Sequence, residues 1–260
     1  MIRTVTATRY IHPLREGGSL PAVVEADDQE LYVMKFVGAG QGARALIAEL
    51  VAGEIGRALG LLVPEIVLME LDPRLGRAEP NPEIRDLIVA SAGLNLGLRY
   101  LPSAFAYNPL LEPPVAADLA SVIVWFDAYV TNVDRTARNV NMLIWQDELW
   151  LIDHGAALYF HHDWGDYLER SRSPFAFIRQ HVLIKLASQA READARLRPL
   201  LSAERLQQIV DDIPAIWLGD EKQFADPEEH RTAYLTYLIT RLAAAENFVR
   251  EAVNAHAALV

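Results

Sequence analysis

Asp134, Asn139 and Asp153 are the residues of this chain whose types and spacing can do chemistry. An Asp, an Asn five residues on, and a second Asp that closes an apolar strand just before Gly155 supply three side chains with hard oxygen donors. Met142 to Trp145 and Leu149 to Ile152 read as two strands, joined by a short turn over 146–148. A hairpin returns its open ends side by side, so Asp134 and Asn139 come to lie near Asp153. One carboxylate can then take the proton of an acceptor hydroxyl, while an amide oxygen and the second carboxylate hold magnesium. Those are the requirements of phosphoryl transfer. Any one of these residues alone is more commonly a turn cap; their order, with a strand pair between them, is what favours chemistry.

Such a site needs a cation for the phosphates and a frame to hold it. Lys35 lies in Leu31-Tyr32-Val33-Met34-Lys35-Phe36, a strand by pattern, and is the sole lysine of the first 184 residues in a chain that otherwise uses arginine. A compact ammonium grips phosphate as a point charge, although a lysine in an antiparallel strand can equally face solvent. Upstream, Thr4 to Leu14 and Ala22 to Glu25 read as strands around a loop containing Gly17, Gly18 and Ser19. Backbone amides there can approach a phosphate closely, because glycine has no Cβ; two glycines in a hairpin loop are also ordinary turn chemistry. Gly38 to Gly42 then leads into a helix over about 44–59, with Glu49 on its small-residue face. Glu49 can reach Lys35 from there. Glu54 is the rival, unless Arg57 three residues on pairs with it.

Val63 to Leu71 and Gly93 to Pro102 read as two more strands, with a helix between them that opens on Asn81-Pro82. If the two halves of the chain join here, the backbone near Tyr100 faces the adenine edge of a nucleotide. The nearly all-apolar stretch from Pro113 to Val130 is expected to be the central helix of a larger half. Ser173-Pro174 is expected to start a helix carrying Ile178, Val182 and Leu186. Ser202 starts another, and Asp226-Pro227 opens a final helix with Leu235, Leu238, Ile239, Leu242 and Val249 on one stripe. His161-His162 resembles a metal pair, but adjacent histidines seldom bind one ion, so a loop or substrate-facing role is expected.

Composition narrows the classes further. At 260 residues and 52% hydrophobic, the chain can bury a large core. With no cysteine, thiolate metal sites, disulfides and cysteine nucleophiles are excluded, and oxygen-liganded magnesium suits what remains. A net charge of −11 opposes binding to a nucleic-acid backbone. With neither a run of about 18 apolar residues nor a basic amphipathic surface, no membrane partner is expected, and the expected location is the cytoplasm.

Together these residues resemble the HipA-like kinases, and more distantly the phosphatidylinositol kinases. The resemblance rests on Asp134-Arg135 followed by Asn139, on Ile152-Asp153-His154-Gly155, on Lys35 in Val-Met-Lys-Phe, and on Glu49 placed before Leu59 to Pro64. It covers about residues 20–160. It implies an α+β, bilobal, protein-kinase-like fold: a small antiparallel β lobe with one main helix (1–101, clamping the nucleotide) and a larger, mostly helical catalytic lobe (102–260). It also implies ATP and magnesium as cofactors and a Ser or Thr of a protein as acceptor. Asp134 would be the catalytic base, Asn139 and Asp153 the metal ligands, Lys35 the phosphate clamp and Glu49 its partner. His154 stands where a Phe is common, and no Ala-Pro-Glu follows. A nucleotide-binding protein without transferase activity, or a kinase for a small molecule or lipid headgroup, are the alternatives.

Overall fold

Alternation of buried and exposed residues builds the first half of the chain into a barrel. Val5 and Ala7 of β1 (Thr4–Pro13) point inward between exposed neighbours. Strand β2 (Ala22–Ala26) is buried at every position but Glu25, and the period of β1 returns in β3 (Leu31–Lys35). With β4 (Ile66–Leu71) and β5 (Gly93–Arg99), the strands close in the order β1-β2-β3-β5-β4. The computed structural model describes residues 2–14, 20–110, 114–219 and 221–260.

The small lobe is not purely antiparallel, as its sequence suggests. β1 meets β4 in parallel, Val5 opposite Met69, and this pair closes the ring. Closure leaves no free edge, and strand β4 starts at Ile66 rather than Val63 because the pairing with Leu98 begins there. Gly97 faces the crowded interior: a Cβ there would lie 2.8 Å from Val67 Cγ2 and 2.9 Å from Met69 Cε.

α1 (Ala43–Ala58) is buried at nearly every position from Leu46 to Gly56. Its small residues serve close approach, as expected: Gly56 packs against Val63 and Phe126, and Gly53 against Ile66. Its side chains belong to a core that continues into the helical half, whereas the barrel interior forms a core of its own with α2 (Pro82–Ala90). α1 therefore joins the two lobes through packed apolar surface.

In the larger lobe α3 (Ala117–Tyr129) is buried from Ala120 onward and is the central helix. Its C-terminal carbonyls, left without intrahelical partners, are met by the buried Arg241 guanidinium, which donates to Tyr129 O at 2.7 Å and to Ala128 O, and from its other arm to Ser171 O at 3.1 Å. A sheet of β6 (Phe105–Ala106), β7 (Met142–Trp145) and β8 (Glu148–Leu151) follows. The β7–β8 turn has Gln146 and Asp147 both left-handed, which matches the strand twist of a tight hairpin.

Beyond it lie α4 (Tyr167–Arg170), α5 (Ala190–Leu197), α6 (Ala203–Asp211), α7 (Pro227–Ala243) and α8 (Ala245–Ala257). Two expectations fail here. Ser173-Pro174 starts no regular helix: a 3-10 turn spans Ala176–Gln180, and the chain then leaves helical geometry because His181 bridges to Thr136 and Val182 N–H donates to Arg135 O at 3.1 Å. The final helix is two, broken at Ala244. On α7 the buried face is Ala233, Tyr234, Tyr237, Leu238 and Arg241, while Ile239 is exposed, because phenol and guanidinium groups find buried partners there. Among the described residues no helix is long and apolar enough to cross a membrane.

Candidate active site

β3 delivers Lys35 to the mouth of the barrel, where its side chain is only 12% exposed. The ammonium donates to Oε2 of Glu49 on α1 and, at 2.5 Å, to Oδ1 of Asp153 just past β8. One cation thus ties the barrel, the main helix and the helical lobe together, and the solvent-facing alternative for Lys35 is set aside. Glu54 pairs instead with Arg57 at 3.2 Å, so the choice between the two glutamates falls to Glu49.

Burial opposes charge at this spot, and the pairing overrides it. Burial by itself would raise the Glu49 carboxyl, but the Lys35 charge and the His154 contact hold it far below the usual carboxylate range. Burial would likewise lower Lys35, yet Glu49 and Asp153 push it above an ordinary lysine. Both groups are ionised across the neutral range. His154 is buried, with Nδ1 3.3 Å from Glu49 Oε1 and its ring edge-on to Phe126. The sequence marks it only as a departure from a common Phe; a polar ring after the strand-ending Asp is the signal that it holds the glutamate.

The polar loop closes around Asp134. Its Oδ2 accepts from Asn139 Nδ2 at 2.7 Å and from Asn141 Nδ2 at 3.2 Å. Asn141 is absent from the sequence-derived site; a second Asn two residues after Asn139 is the available hint. Its backbone is left-handed, as is that of Asp153, a conformation Asn and Asp adopt more readily than other residues. Ile152 N–H donates to Asn141 O at 3.1 Å, so Asp153 emerges one residue beyond the point where strand and loop are bonded. Leu151 N–H donates to Leu62 O at 2.8 Å, fixing the same strand to the segment after α1.

At the open end of the hairpin the loop thus carries Asp134 with Asn139 and Asn141 bonded to it, and the paired strand carries Asp153, held by Lys35. Asn139 spends its amide N–H on Asp134, and its oxygen remains as the donor a hard cation would use. Among the described residues no cluster of three or more His, Cys, Asp and Glu side chains is set for a metal. A phosphate-borne magnesium needs fewer protein ligands, since phosphate and water oxygens complete its octahedron. Asp153, with 47% of its side chain exposed, and Asn139 could serve as donors of that kind.

Tyr100 lies in the connection leaving the barrel, with its N–H donated to Leu31 O at 2.9 Å. An adenine edge would have to meet its carbonyl or the following residues. Gly17, Gly18 and Ser19 lie outside the described residues; Leu14 N–H donates to Pro21 O at 2.7 Å across the base of their loop. Of the His pair, His161 is buried with Nδ1 3.0 Å from the Tyr234 hydroxyl, a core position rather than a substrate-facing one.

Comparison with known proteins adds to this geometry. A sequence model described as HipA-like kinase matches residues 8–252. Among solved structures the chain is similar to the Helicobacter pylori proinflammatory kinase CtkA, at 15% identity and a TM-score of 0.55, over 97% of this chain and 98% of that one. It is also similar to the Golgi casein kinase crystallised with Mn/ADP, at 12% identity and a TM-score of 0.56, over 99% of this chain and 76% of that one. At these identities the structural likeness shows a protein-kinase-like fold. No curated protein matches the sequence.

Proposed function

This chain belongs to the HipA-like kinase family, and we propose that it is an ATP- and magnesium-dependent kinase whose acceptor is a Ser or Thr hydroxyl of a protein. The observation that carries the reading is Lys35, which contacts Glu49 and Asp153 at once and so stands where a triphosphate would lie between the lobes. A structural neighbour with Mn/ADP bound supports a nucleotide and a divalent metal. In this reading residues 1–101 clamp the nucleotide and residues 102–260 carry the catalytic groups.

Bound magnesium would neutralise charge on the β- and γ-phosphates. Asp153 and Asn139 would hold it. Lys35 exchanges its contact with Asp153 for the phosphates, while Glu49, kept in place by His154, retains the ammonium. Asp134 is oriented by two amides on one oxygen. It accepts the proton of the acceptor hydroxyl as that oxygen bonds to the γ-phosphorus and the bond to the ADP oxygen breaks.

The test uses γ-labelled ATP with the purified protein alone and then with a cell lysate. Asp134→Asn and Asp153→Ala are expected to lose ~10²-fold or more in transfer. Folded variants with full turnover overturn the reading. Label on a small molecule or lipid moves the acceptor class, and magnesium-dependent ATP binding without transfer to anything replaces the kinase by a nucleotide-binding interaction protein.

A further inference from the structure

Asp127 lies on α3 and has no accessible surface, yet three segments of the chain around the site converge on it. Its Oδ1 accepts from Asn132 Nδ2 at 2.9 Å. Its Oδ2 accepts from Arg135 Nε at 2.7 Å and faces His181 Nε2 at 2.8 Å. Each partner passes the constraint on. Asn132 Oδ1 accepts the Asp134 amide at 3.1 Å. Arg135 Nη1 donates to Asn141 O and lies 3.4 Å from Ile152 O, so it spans the loop and the strand that ends in Asp153. His181 bridges to Thr136, and its neighbour Val182 donates to Arg135 O.

We propose that Asp127 is the positioning residue of this site: through Asn132, Arg135 and His181 it sets Asp134, Asn139 and Asn141 against the strand end that carries Asp153. The chemistry invoked rests on the kinase reading above; the geometry does not. His181 acts here as a neutral ring. Its Nδ1 accepts the Leu183 amide at 3.0 Å, which leaves the proton on Nε2 to be donated to Asp127. All three groups facing Asp127 are therefore donors, and one is a buried cation. Only a carboxylate accepts on both oxygens; an amide in its place would turn N–H groups toward either Asn132 or Arg135, whichever way it rotated. Burial would raise the Asp127 carboxyl, but the Arg135 charge and the His181 hydrogen bond keep it ionised.

The experiment compares Asp127→Asn with Asn132→Ala, which cuts a single link and leaves the buried ion pair alone. Readouts are steady-state kinetics with magnesium-ATP, thermal denaturation and amide hydrogen exchange. Asp127→Asn is expected to lower kcat ~10²-fold, as an ångström-scale misplacement does, with KM for the nucleotide changed less than kcat. Amides of Asp134 and Ile152 should exchange ~10-fold faster or more, while those of Val23 and Val33 in the barrel keep their rates. Asn132→Ala should repeat the Asp134 change with a smaller loss of kcat. Folded variants with kcat and both exchange rates within about twofold of the parent protein overturn the proposal, as does acceleration spread evenly over α3 and the barrel. If Asp127→Asn does not fold, Asn132→Ala decides. Should the parent protein transfer no phosphoryl group, the kinase reading falls, and the exchange rates still decide the positioning role.

Discussion

Replacing Glu49 by Gln keeps the shape of the side chain and removes its charge at a position with no accessible surface. Lys35 and His154 then face a neutral amide, and Asp153 is left as the carboxylate on the ammonium among the described residues. Removing one member of a buried ion pair costs about 3–5 kcal/mol. Glutamine can still accept a hydrogen bond from Lys35, so the loss should fall near the lower end, about 3 kcal/mol. On the proposed kinase reading, the same change would release Lys35 toward Asp153, away from the phosphates. A loss of about 2.7 kcal/mol in transition-state stabilisation corresponds to ~10²-fold in kcat/KM. Urea denaturation and transfer from γ-labelled ATP measure the two effects on one preparation. Glu54→Gln is the control, since Glu54 pairs with neighbouring Arg57 and burial already raises its pKa; stability should change by less than about 1 kcal/mol. If Glu49→Gln unfolds within about 1 kcal/mol of the parent protein and keeps its kcat/KM, the pairing does not hold this site together.

Acid should weaken the protein through the same groups. Glu49 and Asp127 have folded pKa values depressed below their ordinary 4.5 and 3.8, so the unfolded chain binds more protons near pH 4. Their stabilisation is present above those ordinary values and is lost as pH falls through them toward the folded ones. The urea midpoint should drop steeply below about pH 4.5, and Glu49→Gln should flatten that limb; an equal slope in both proteins contradicts the assignment. In the barrel, Gly97→Ala adds a Cβ within 3 Å of Val67 and Met69 and should cost about 1–3 kcal/mol, read as a lower melting temperature. An unchanged melting temperature would mean that the barrel interior yields without strain.

What could be read from the chain alone was what depends on near neighbours. The hairpin and the three oxygen-bearing residues near its ends follow from strand periodicity and a short turn read over 146–148, which the structure tightens to Gln146 and Asp147. Lys35 was legible as the one lysine of its half, and the glycine and alanine positions of α1 announced close packing. Local pattern left the pairing of Lys35 open between two glutamates on one helix, because which face of that helix meets β3 is set by packing; Glu49 takes Lys35 and Glu54 takes Arg57.

The remaining decisions came from bonds between residues far apart in sequence. Lys35 and Asp153 are 118 positions apart, and His181 reaches Asp127 across 54. Closure of the barrel by a parallel pair and the loss of a helix after Ser173 in favour of the bridge to Thr136 belong to this class. A buried donor must find an acceptor wherever the folded chain places one. That demand leaves no periodic trace in sequence, so His154, Asn141 and Asp127 acquire their roles only once the tertiary structure brings their partners within 3.3 Å.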